Sequence, residues 1–370
     1  MKFLLIGPAF PLRGGIANFN TALYFEIANQ GHEVVIFSFS LQYPNFLFPG
    51  KSQFENGEKQ KGLQVKPIIN SINPLNWFRV AKQIIAEKPD YIIVQFWMPF
   101  FAASLGTILR KVTRKLDAKI ITITHNFFPH EKRLGDKQLL KYYSKVSTGY
   151  IALSKTVKAD IEKFQVNAEV KFIPHPICNI FGDKVSKKES RDFLHLPVDQ
   201  RIILFFGIIR PYKGLDLLIE SISRLKDMNV NVIVAGEFYD DKQKYIDLIQ
   251  SLNLQDKFII HDEFVKSEEI KYYFCAADII VQPYLSATQS GVTQIGYHFE
   301  RPMLVTDVGG LAEIVPHMKA GYVCKKDAQE IASAIHDFYK KKREEEFVQF
   351  VAGYKENFSW NKLVDGITMF

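Results

Sequence analysis

Cysteine is scarce in this chain, and long apolar runs are missing. Only three cysteines occur among 370 residues, without a C-x-x-C pair, so neither a disulfide framework nor a zinc site is indicated. A reducing cytoplasm suits such a composition. No apolar run approaches the about 18 residues that cross a membrane, and the apolar start ends at Gly7-Pro8, too early for a signal peptide. We therefore expect a cytoplasmic protein.

Several common motifs are absent as well. The sequence has no G-x-G-x-x-G or Walker A loop, no G-x-S-x-G elbow and no Asp-x-Asp, so we expect no cofactor and no metal. No zinc-finger, helix-turn-helix or RNP pattern occurs either. The net charge of +7 therefore favours an acidic ligand, an anionic membrane surface or simple solubility over nucleic acid as its explanation.

The chain carries enough apolar residues for two domains. Hydrophobic residues make up 47% of its 370 residues and charged residues 24%, and this length favours two domains over one. Apolar runs alternate with helical patterns in both halves, which is typical of parallel sheets covered by helices. The runs predict strands at residues 3–6, 34–39, 91–95, 119–124, 149–153 and 170–173, then at 202–206, 231–235, 257–260, 278–281 and 303–306.

The loop after the predicted strand 202–206 is the most informative segment. Residues 207–214 read G-I-I-R-P-Y-K-G and lead into an amphipathic helical pattern. Backbone N–H groups and the helix dipole favour an anion at such a position. Arg210 and Lys213 add a guanidinium and an ammonium, a combination suited to a ligand with several negative charges, such as a diphosphate.

Two loops of the first half also hold candidate site residues. Gly14 and Gly15 open a helix after the first strand, where they either let a ligand approach the backbone or form a tight turn with positive φ. His125 follows the strand 119–124, and ligands of open α/β sheets bind beyond the carboxyl ends of strands. A structural histidine and a ligand-binding one both fit that position.

Two loops of the second half repeat this arrangement. Ser290 and Gly291 precede a helix predicted over 292–299, where they suit a second anion site. Simple N-capping by Ser290 is the other interpretation, and it is compatible with that role. Gly309 and Gly310 follow the strand 303–306. Glu313 comes next, where its carboxylate binds sugar hydroxyls or stabilises a first helical turn.

An aromatic segment precedes the helix predicted over 101–115. Trp97 and Phe100 lie in it, and the helix ends in the basic residues Arg110, Lys111, Arg114 and Lys115. Apolar residues at helical spacing favour a core helix with a basic end. The alternative is an acceptor groove or a membrane-facing surface, because aromatic rings stack on sugars and contact lipid.

Taken in order, these loops resemble glycosyltransferase family 4, the retaining transferases of the GT-B type. The resemblance covers nearly the whole chain, and the ordered set is specific although each mark alone is weak. Its marks in the first half are Gly14-Gly15, His125, Ile151-Ala152-Leu153-Ser154 and Ile173-Pro174-His175-Pro176. Those in the second half are residues 207–214 with Leu217-Leu218-Ile219, Ala277-Asp278, Gly309-Gly310 with Glu313, and Phe358-Ser359-Trp360.

The resemblance implies a GT-B-type α/β fold, with two Rossmann-like doubly wound domains facing across a cleft. We expect an acceptor-binding domain at residues 1–180 and a nucleotide-sugar-binding domain at 198–357. Prolines and charged residues predict a linker at 181–197. The last helix, within 358–370, is expected to cross back onto the first domain.

The resemblance also implies roles for individual residues. His125, Arg210 and Lys213 are expected to be catalytic, with His125 at the donor sugar and the two cations on its diphosphate. Donor binding is expected of Gly14, Gly15, Gly207, Ser290, Gly291, Gln294, Gly309, Gly310 and Glu313. Acceptor contacts are expected of Trp97, Phe100 and Asn126.

The chain departs from the family pattern at two places. Ile208 stands where the family has an arginine after the first glycine, and we expect Arg210 to turn inward and replace it. The family's spaced pair of acidic residues is missing. Gln294 lies in that segment and offers hydrogen bonds without charge.

Together these features predict a retaining glycosyltransferase of polysaccharide or glycolipid biosynthesis. It would move a sugar from a nucleoside-diphosphate sugar to a hydroxyl of a glycan or lipid-linked glycan. Peripheral contact with the inner face of the cytoplasmic membrane is a further expectation. Two alternatives stay open: a GT-B-type sugar-nucleotide epimerase, which needs no acceptor, and an inactive sugar-nucleotide-binding scaffold.

Overall fold

The structure, a computed structural model, describes residues 1–44, 52–55, 58–128 and 134–370. Its contacts divide the chain into two compact units. The first unit comprises Met1–His175 together with Trp360–Phe370, and the second comprises Pro176–Ser359.

The first unit is built on a parallel sheet. Its strands are β1 (Lys2–Ile6), β2 (Glu33–Leu41), β3 (Val65–Asn70), β4 (Tyr91–Phe96), β5 (Lys119–Thr124), β6 (Gly149–Ala152) and β7 (Val170–Phe172). They lie in the order β3-β2-β1-β4-β5-β6-β7. The central strands are mainly apolar because helices cover both faces; Leu4, for example, pairs with Val35 on one side and Ile92 on the other.

Five helices connect these strands: α1 (Gly15–Asn29), α2 (Pro74–Glu87), α3 (Ala102–Val112), α4 (Asp136–Ser144) and α5 (Lys155–Phe164). Local sequence explains where some of them begin. Asn73 accepts hydrogen bonds from the backbone of Leu75 and Asn76 at the start of α2, and Ser154 accepts one from Val157 at the start of α5, as N-cap residues do.

The second unit repeats this architecture. Its strands are β8 (Ile202–Phe206), β9 (Asn231–Ala235), β10 (Phe258–His261), β11 (Ile279–Gln282), β12 (Met303–Thr306) and β13 (Gly321–Cys324). They are parallel, in the order β10-β9-β8-β11-β12-β13. Its helices are α6 (Lys187–Phe193), α7 (Leu215–Ser223), α8 (Lys242–Ser251), α9 (Ile270–Ala276), α10 (Gly291–His298), α11 (Gly310–Ile314), α12 (Ala328–Lys340) and α13 (Glu344–Tyr354).

The segment 181–197 differs from the predicted linker. It contains α6 and belongs to the second unit. Ser186 caps this helix by accepting from the backbone N–H of Glu189. Arg191 is buried in an ion pair with Asp278, at 2.9 Å. The charges that made the segment resemble a linker therefore partly serve an internal contact.

The last helix, α14 (Trp360–Thr368), belongs to the first unit. Its Trp360 ring lies 5.0 Å from the ring of Phe19 on α1. The Tyr91 hydroxyl donates to the carbonyl of Thr368 at 3.2 Å. The chain therefore returns to its first unit after completing the second.

Sequence patterns missed two strands, β3 and β13, and both lie at sheet edges. An edge strand has one neighbour and needs fewer apolar residues. β3 carries the exposed residues Lys66 and Pro67, and proline is tolerated in strands mainly at edges. β3 therefore lacks the apolar run on which the prediction depended, whereas β13 is short and apolar, with the sequence GYVC.

Candidate functional site

In each sheet the strand order reverses at one place, next to the first strand of the unit. This switch point lies between β1 and β4 in the first unit and between β8 and β11 in the second. Ligands of open α/β sheets bind beyond the carboxyl ends of the strands at such points. The predicted site residues follow β1, β4 and β5, or β8, β11 and β12, and so lie at the expected end of each sheet.

His125 is buried at the end of β5, with 4% of its surface exposed. Its Nε2 lies 2.8 Å from Oε1 of Gln95. The amide nitrogen of Gln95 donates to Asn20 Oδ1 at 3.2 Å, so the Gln95 oxygen faces the imidazole and Nε2–H donates to it. Burial, and secondarily the neighbouring His175, lowers the pKa of His125 to about 3. The ring is therefore neutral at physiological pH.

Phe19 lies at the centre of an aromatic group around His125. Its ring is 4.9 Å from the ring of His125, 5.0 Å from that of His175 and 5.0 Å from that of Trp360. Three segments that marked the family resemblance therefore meet at one phenylalanine of α1. This packing fixes the orientation of the His125 ring.

The backbone conformation explains glycine at position 14 but not at position 15. Gly14 has φ of 119°, a conformation that favours glycine, so the tight turn is present. Gly15, the first residue of α1, has no atom within 4 Å of the position that a Cβ would occupy. No side chain caps α1. Nothing inside the described fold therefore explains glycine at position 15.

The residues predicted at the acceptor lie after β4 and β5. Trp97 is half-buried and donates from Nε1 to the Tyr43 hydroxyl at 2.9 Å. The Phe100 ring stacks on Tyr43, with centroids 6.0 Å apart. Asn126 is half-buried directly after His125. The following helix, α3, buries Leu105, Ile108 and other apolar residues, as expected of a core helix with a basic end.

Lys213 is the cation that the second unit buries near its switch point. It is 8% exposed, and it forms no hydrogen bond or ion pair with any residue that the structure describes. Its Nζ lies 2.9 Å from the place that a Cβ on Gly207 would take and 5.5 Å from the centre of the Tyr284 ring. Gly207, with φ of 98°, therefore makes room for the ammonium.

Burial shifts the titration of this lysine. Desolvation, and secondarily the positive charge of Arg210, lowers the pKa of Lys213 to about 7. An anion bound beside Nζ would offset both effects, since its opposite charge stabilises the charged form of the lysine. The position is thus suited to an anionic ligand.

Arg210 does not turn inward as expected. Its side chain is exposed, and the guanidinium lies over the Tyr239 ring, 5.2 Å from its centre. Pro211 restricts the loop directly after it, and the short helical turn Pro211–Lys213 sends Lys213, not Arg210, into the interior. The prediction that Arg210 takes the place of the family's inward-facing arginine is wrong on this point.

The start of α10 lies close to Lys213. A methyl carbon of Val292 approaches the Cβ position of Gly207 to 3.6 Å. Ser290 occupies the N-cap position, but its side chain accepts no capping hydrogen bond; its hydroxyl lies 3.4 Å from that of Tyr284. Simple N-capping, one of the two interpretations of Ser290, is therefore wrong. Gly291 has open space at its Cβ position.

Gln294 is buried on α10 with 0% exposure. Neither its amide oxygen nor its amide nitrogen has a hydrogen-bond partner among the described residues. Leaving such groups unpaired costs about 1–3 kcal/mol each. The side chain therefore needs water or a ligand as its partner.

The loop after β12 has a structural reason for one glycine. Gly309 has φ of 46°, and a Cβ there would lie 1.7 Å from the carbonyl oxygen of Ala287. Gly309 thus allows the loops after β11 and β12 to touch. Gly310 is buried, and Glu313 is half-buried in the short helix α11.

Sequence reasoning missed two glutamines at equivalent places. Gln95 lies near the end of β4 and Gln282 at the end of β11, the strands beside the two switch points. Gln282 accepts from Thr293 Oγ1 at 3.1 Å, while its amide nitrogen has no partner among the described residues. A polar residue ending an otherwise apolar strand was the available signal.

Neither a metal-binding cluster nor a membrane-spanning helix is found among the described residues. No group of three or more His, Cys, Asp or Glu side chains there is arranged to hold a metal ion. Nor does any helix in those ranges combine the length and apolarity needed to cross a membrane.

Comparison with known proteins identifies the class. Residues 13–178 match the family model described as Glycosyltransferase Family 4, and residues 186–351 match the one described as Glycosyl transferases group 1. The solved structure of Anabaena HepE in complex with UDP and glucose superposes with a TM-score of 0.77 at 15% identity, covering 100% of both chains. The fold is therefore that of the GT-B glycosyltransferases.

Relatives found by sequence similarity are also glycosyltransferases. An uncharacterized glycosyltransferase of Methanocaldococcus jannaschii is 25% identical over 357 residues, covering 90% of this chain and 87% of that protein. A GDP-mannose:glycolipid 4-beta-D-mannosyltransferase of Xanthomonas campestris is 22% identical over 214 residues, covering 55% and 54%. The chain belongs to glycosyltransferase family 4 and is a glycosyl-transferring enzyme.

Proposed function

We propose that this glycosyltransferase takes its sugar from a nucleoside-diphosphate sugar. The proposal rests on Lys213. Its buried ammonium at the switch point of the second unit has no carboxylate partner among the described residues, and such a group calls for an anionic ligand. Two comparisons support this donor class: HepE was solved with UDP and glucose, and the Xanthomonas relative is named for GDP-mannose.

In this proposal, residues of the second unit bind different parts of the donor. Lys213 binds the diphosphate, with the N–H groups at the start of α10 and the open Gly291 beside it. Arg210 meets the same charge from the exposed side of its loop. Gln294 hydrogen-bonds to donor hydroxyls in place of the family's acidic pair. Gly207, Ser290, Gly309, Gly310 and Glu313 complete the proposed donor set.

In the first unit, we assign His125 to the donor sugar and Gly14 and Gly15 to its phosphate. Because the imidazole stays neutral, His125 acts through hydrogen bonding and orientation rather than by carrying charge. Trp97, Phe100 and Asn126 are proposed to contact the acceptor, where aromatic faces stack on sugar rings.

The proposed reaction retains the configuration at the transferred carbon. As the bond to the leaving diphosphate breaks, negative charge grows on the phosphate and positive character grows on the sugar. A cation fixed at the phosphate stabilises the transition state more than the bound substrate. The leaving phosphate then takes the proton of the acceptor hydroxyl, so no protein carboxylate, metal or cofactor is invoked.

The proposed acceptor is a glycan or a glycolipid, as in the name of the Xanthomonas relative. A cytoplasmic protein in peripheral contact with the inner membrane face would meet such an acceptor. This placement is part of the proposal.

Thermal unfolding with a panel of UDP-, GDP-, ADP- and TDP-sugars tests the donor class. A donor present at about 100 times its dissociation constant adds about 2.7 kcal/mol to the stability of the folded protein. Products are then analysed with and without a panel of glycan and glycolipid acceptors.

The product analysis separates the alternatives. Sugar transfer that requires an acceptor supports the proposal. Isomerised donor without acceptor would identify an epimerase, and stabilisation without any product would identify a binding scaffold. No stabilisation by any member of the panel would contradict the proposed donor class.

A further inference from the structure

Large apolar side chains are exposed at the beginning of α2 in the first unit. Ile72, Leu75 and Phe78 expose 50%, 80% and 43% of their surfaces. Leu75 and Phe78 are three residues apart and thus lie on one face of the helix, with Ile72 in the turn before it. Single exposed apolar residues are ordinary, but a contiguous group marks a surface that binds something.

Cations lie beside this group. Arg79 and Lys82 are exposed on α2, four and seven residues after Leu75 and hence on the same face. Lys111 on α3 places its Nζ 5.0 Å from the centre of the Phe78 ring. We call these six residues the basic apolar surface: Ile72, Leu75, Phe78, Arg79, Lys82 and Lys111.

The local charge is strongly one-sided. Residues 71–117 contain seven basic residues, namely Arg79, Lys82, Lys88, Arg110, Lys111, Arg114 and Lys115, against Glu87, Asp90 and Asp117. The Arg110 guanidinium lies over the Tyr142 ring, 3.6 Å from its centre, and so does not add to this surface. Glu87 already pairs with Lys2 and Lys66 at 2.9 and 2.5 Å, so it does not neutralise the surface. The helix dipole explains cations at the end of α3, but it explains neither Lys82 in the middle of α2 nor the exposed Phe78.

We propose that the basic apolar surface binds an anionic lipid bilayer. Apolar side chains flanked by lysine and arginine suit the interface of such a bilayer, where the apolar groups enter the headgroup region and the cations meet lipid phosphates. This inference rests on the proposed function in one respect: bilayer binding would serve sugar transfer because a glycolipid acceptor is presented at a bilayer. Binding to lipid itself requires neither donor nor acceptor.

Vesicle sedimentation of the full chain tests this proposal. We expect binding to phosphatidylcholine vesicles that contain phosphatidylglycerol, and little binding to phosphatidylcholine alone. Binding to the anionic vesicles should fall as salt rises from about 0.1 M to about 1 M, where screening shortens the Debye length from about 10 Å to about 3 Å.

Two pairs of variants locate the binding surface. The double change Leu75→Ser with Phe78→Ser should reduce partitioning about tenfold or more, because the lost apolar contact is that of two large side chains. Lys82→Glu with Lys111→Glu should reduce binding to anionic vesicles by a similar factor. The matched controls are Val166→Ser, whose side chain is 86% exposed in the same unit, and Lys163→Glu on the exposed side of α5; both should bind like the parent.

The outcomes separate this proposal from the proposed function. Because Leu75, Phe78 and Lys82 are exposed and Lys111 is only half-buried, the unfolding temperature and the donor stabilisation should change little in all variants. Equal binding of parent, variants and controls would overturn the surface assignment while leaving the donor site intact. Loss of self-association in the Leu75→Ser, Phe78→Ser variant without any vesicle binding would assign the surface to a second copy instead. Vesicle binding without donor binding would contradict only the proposed function.

Discussion

Two buried cations of the second unit differ in whether the described fold supplies them with a partner. Arg191 is 2% exposed, and its guanidinium binds the Asp278 carboxylate and the carbonyl of Ala276. Lys213 is 8% exposed and has no such partner among the described residues. Burying an unpaired charge is costly, and this cost is the reason why we propose that Lys213 is kept there for a function that needs the ammonium.

The change Lys213→Met should therefore raise the stability of the protein and lower its transfer activity. Between pH 7 and 10.5 the unfolded chain binds a proton that folded Lys213 does not, so this lysine destabilises the fold increasingly as pH falls, and fully below about pH 7. At neutral pH the free energy of unfolding of the variant should exceed that of the parent by about 4 kcal/mol. Its transfer rate should fall about 10²–10³-fold.

Steady-state kinetics and thermal unfolding measure these two effects on the same samples. Lys226→Met, at an exposed position of the same unit, serves as the control and should change neither. Wild-type turnover in Lys213→Met would remove this lysine from the site.

Replacing Gln294 should likewise raise stability and lower activity. Its amide has no partner among the described residues, so Gln294→Met should stabilise the unliganded protein by about 1 kcal/mol and weaken transfer at least tenfold. The exposed Gln250→Met on α8 is the matched control. If Gln294→Met gains stability and keeps full kcat/KM, the amide serves only the packing of α10, and another group replaces the family's acidic pair.

At the scale of elements, the starts of α1 and α10 are the predicted phosphate contacts. Gly15 and Gly291 have open space where a Cβ would lie, and neither requires positive φ. Alanine should thus fold normally at both positions, while a methyl group would block close approach of a phosphate to the backbone.

Gly15→Ala and Gly291→Ala are expected to raise the KM for donor about tenfold or more, with unchanged unfolding temperature. Gly353→Ala on α13 provides the control, since its Cβ position is equally open, and it should keep wild-type kinetics. Wild-type donor KM in both test variants would show that these helix starts do not touch the donor.

Element prediction from sequence succeeded where one physical signal dominated. β5 was predicted at the bounds observed, Lys119–Thr124, because a buried strand is visible as a local apolar run. α6 was not predicted, because its charged residues favoured a linker. Its Arg191 pairs with Asp278, 87 residues away along the chain, a contact that no local pattern reveals.

The sequence likewise predicted only part of the site. The sequence pointed to the loops after strands and to both Arg210 and Lys213. Which of the two cations turns inward depends on the helical turn at Pro211–Lys213, and composition cannot decide it. Gln95 was missed because its importance comes from its hydrogen bond to His125, which joins β4 to the end of β5.

At the scale of the whole molecule, the two units repeat one topology without visible sequence similarity. Both sheets place the first strand of the unit beside the fourth strand, and the first unit adds β7 at one edge. In each unit a glutamine ends or nearly ends the strand next to the switch point. One chain thus builds the same strand arrangement twice and attaches different loops to each.

The most direct test of the account is proton uptake on donor binding. In the free protein the pKa of Lys213 is about 7, and a bound diphosphate should raise it well above that value. Calorimetric titration with the stabilising nucleoside-diphosphate sugar, at about pH 8.5 in buffers of different ionisation enthalpy, should then detect uptake approaching one proton, with affinity weakening as pH rises. Lys213→Met should bind more weakly and take up none. Equal affinity and equal proton uptake in the parent and the Lys213→Met variant would contradict the claim that this buried lysine holds the donor diphosphate.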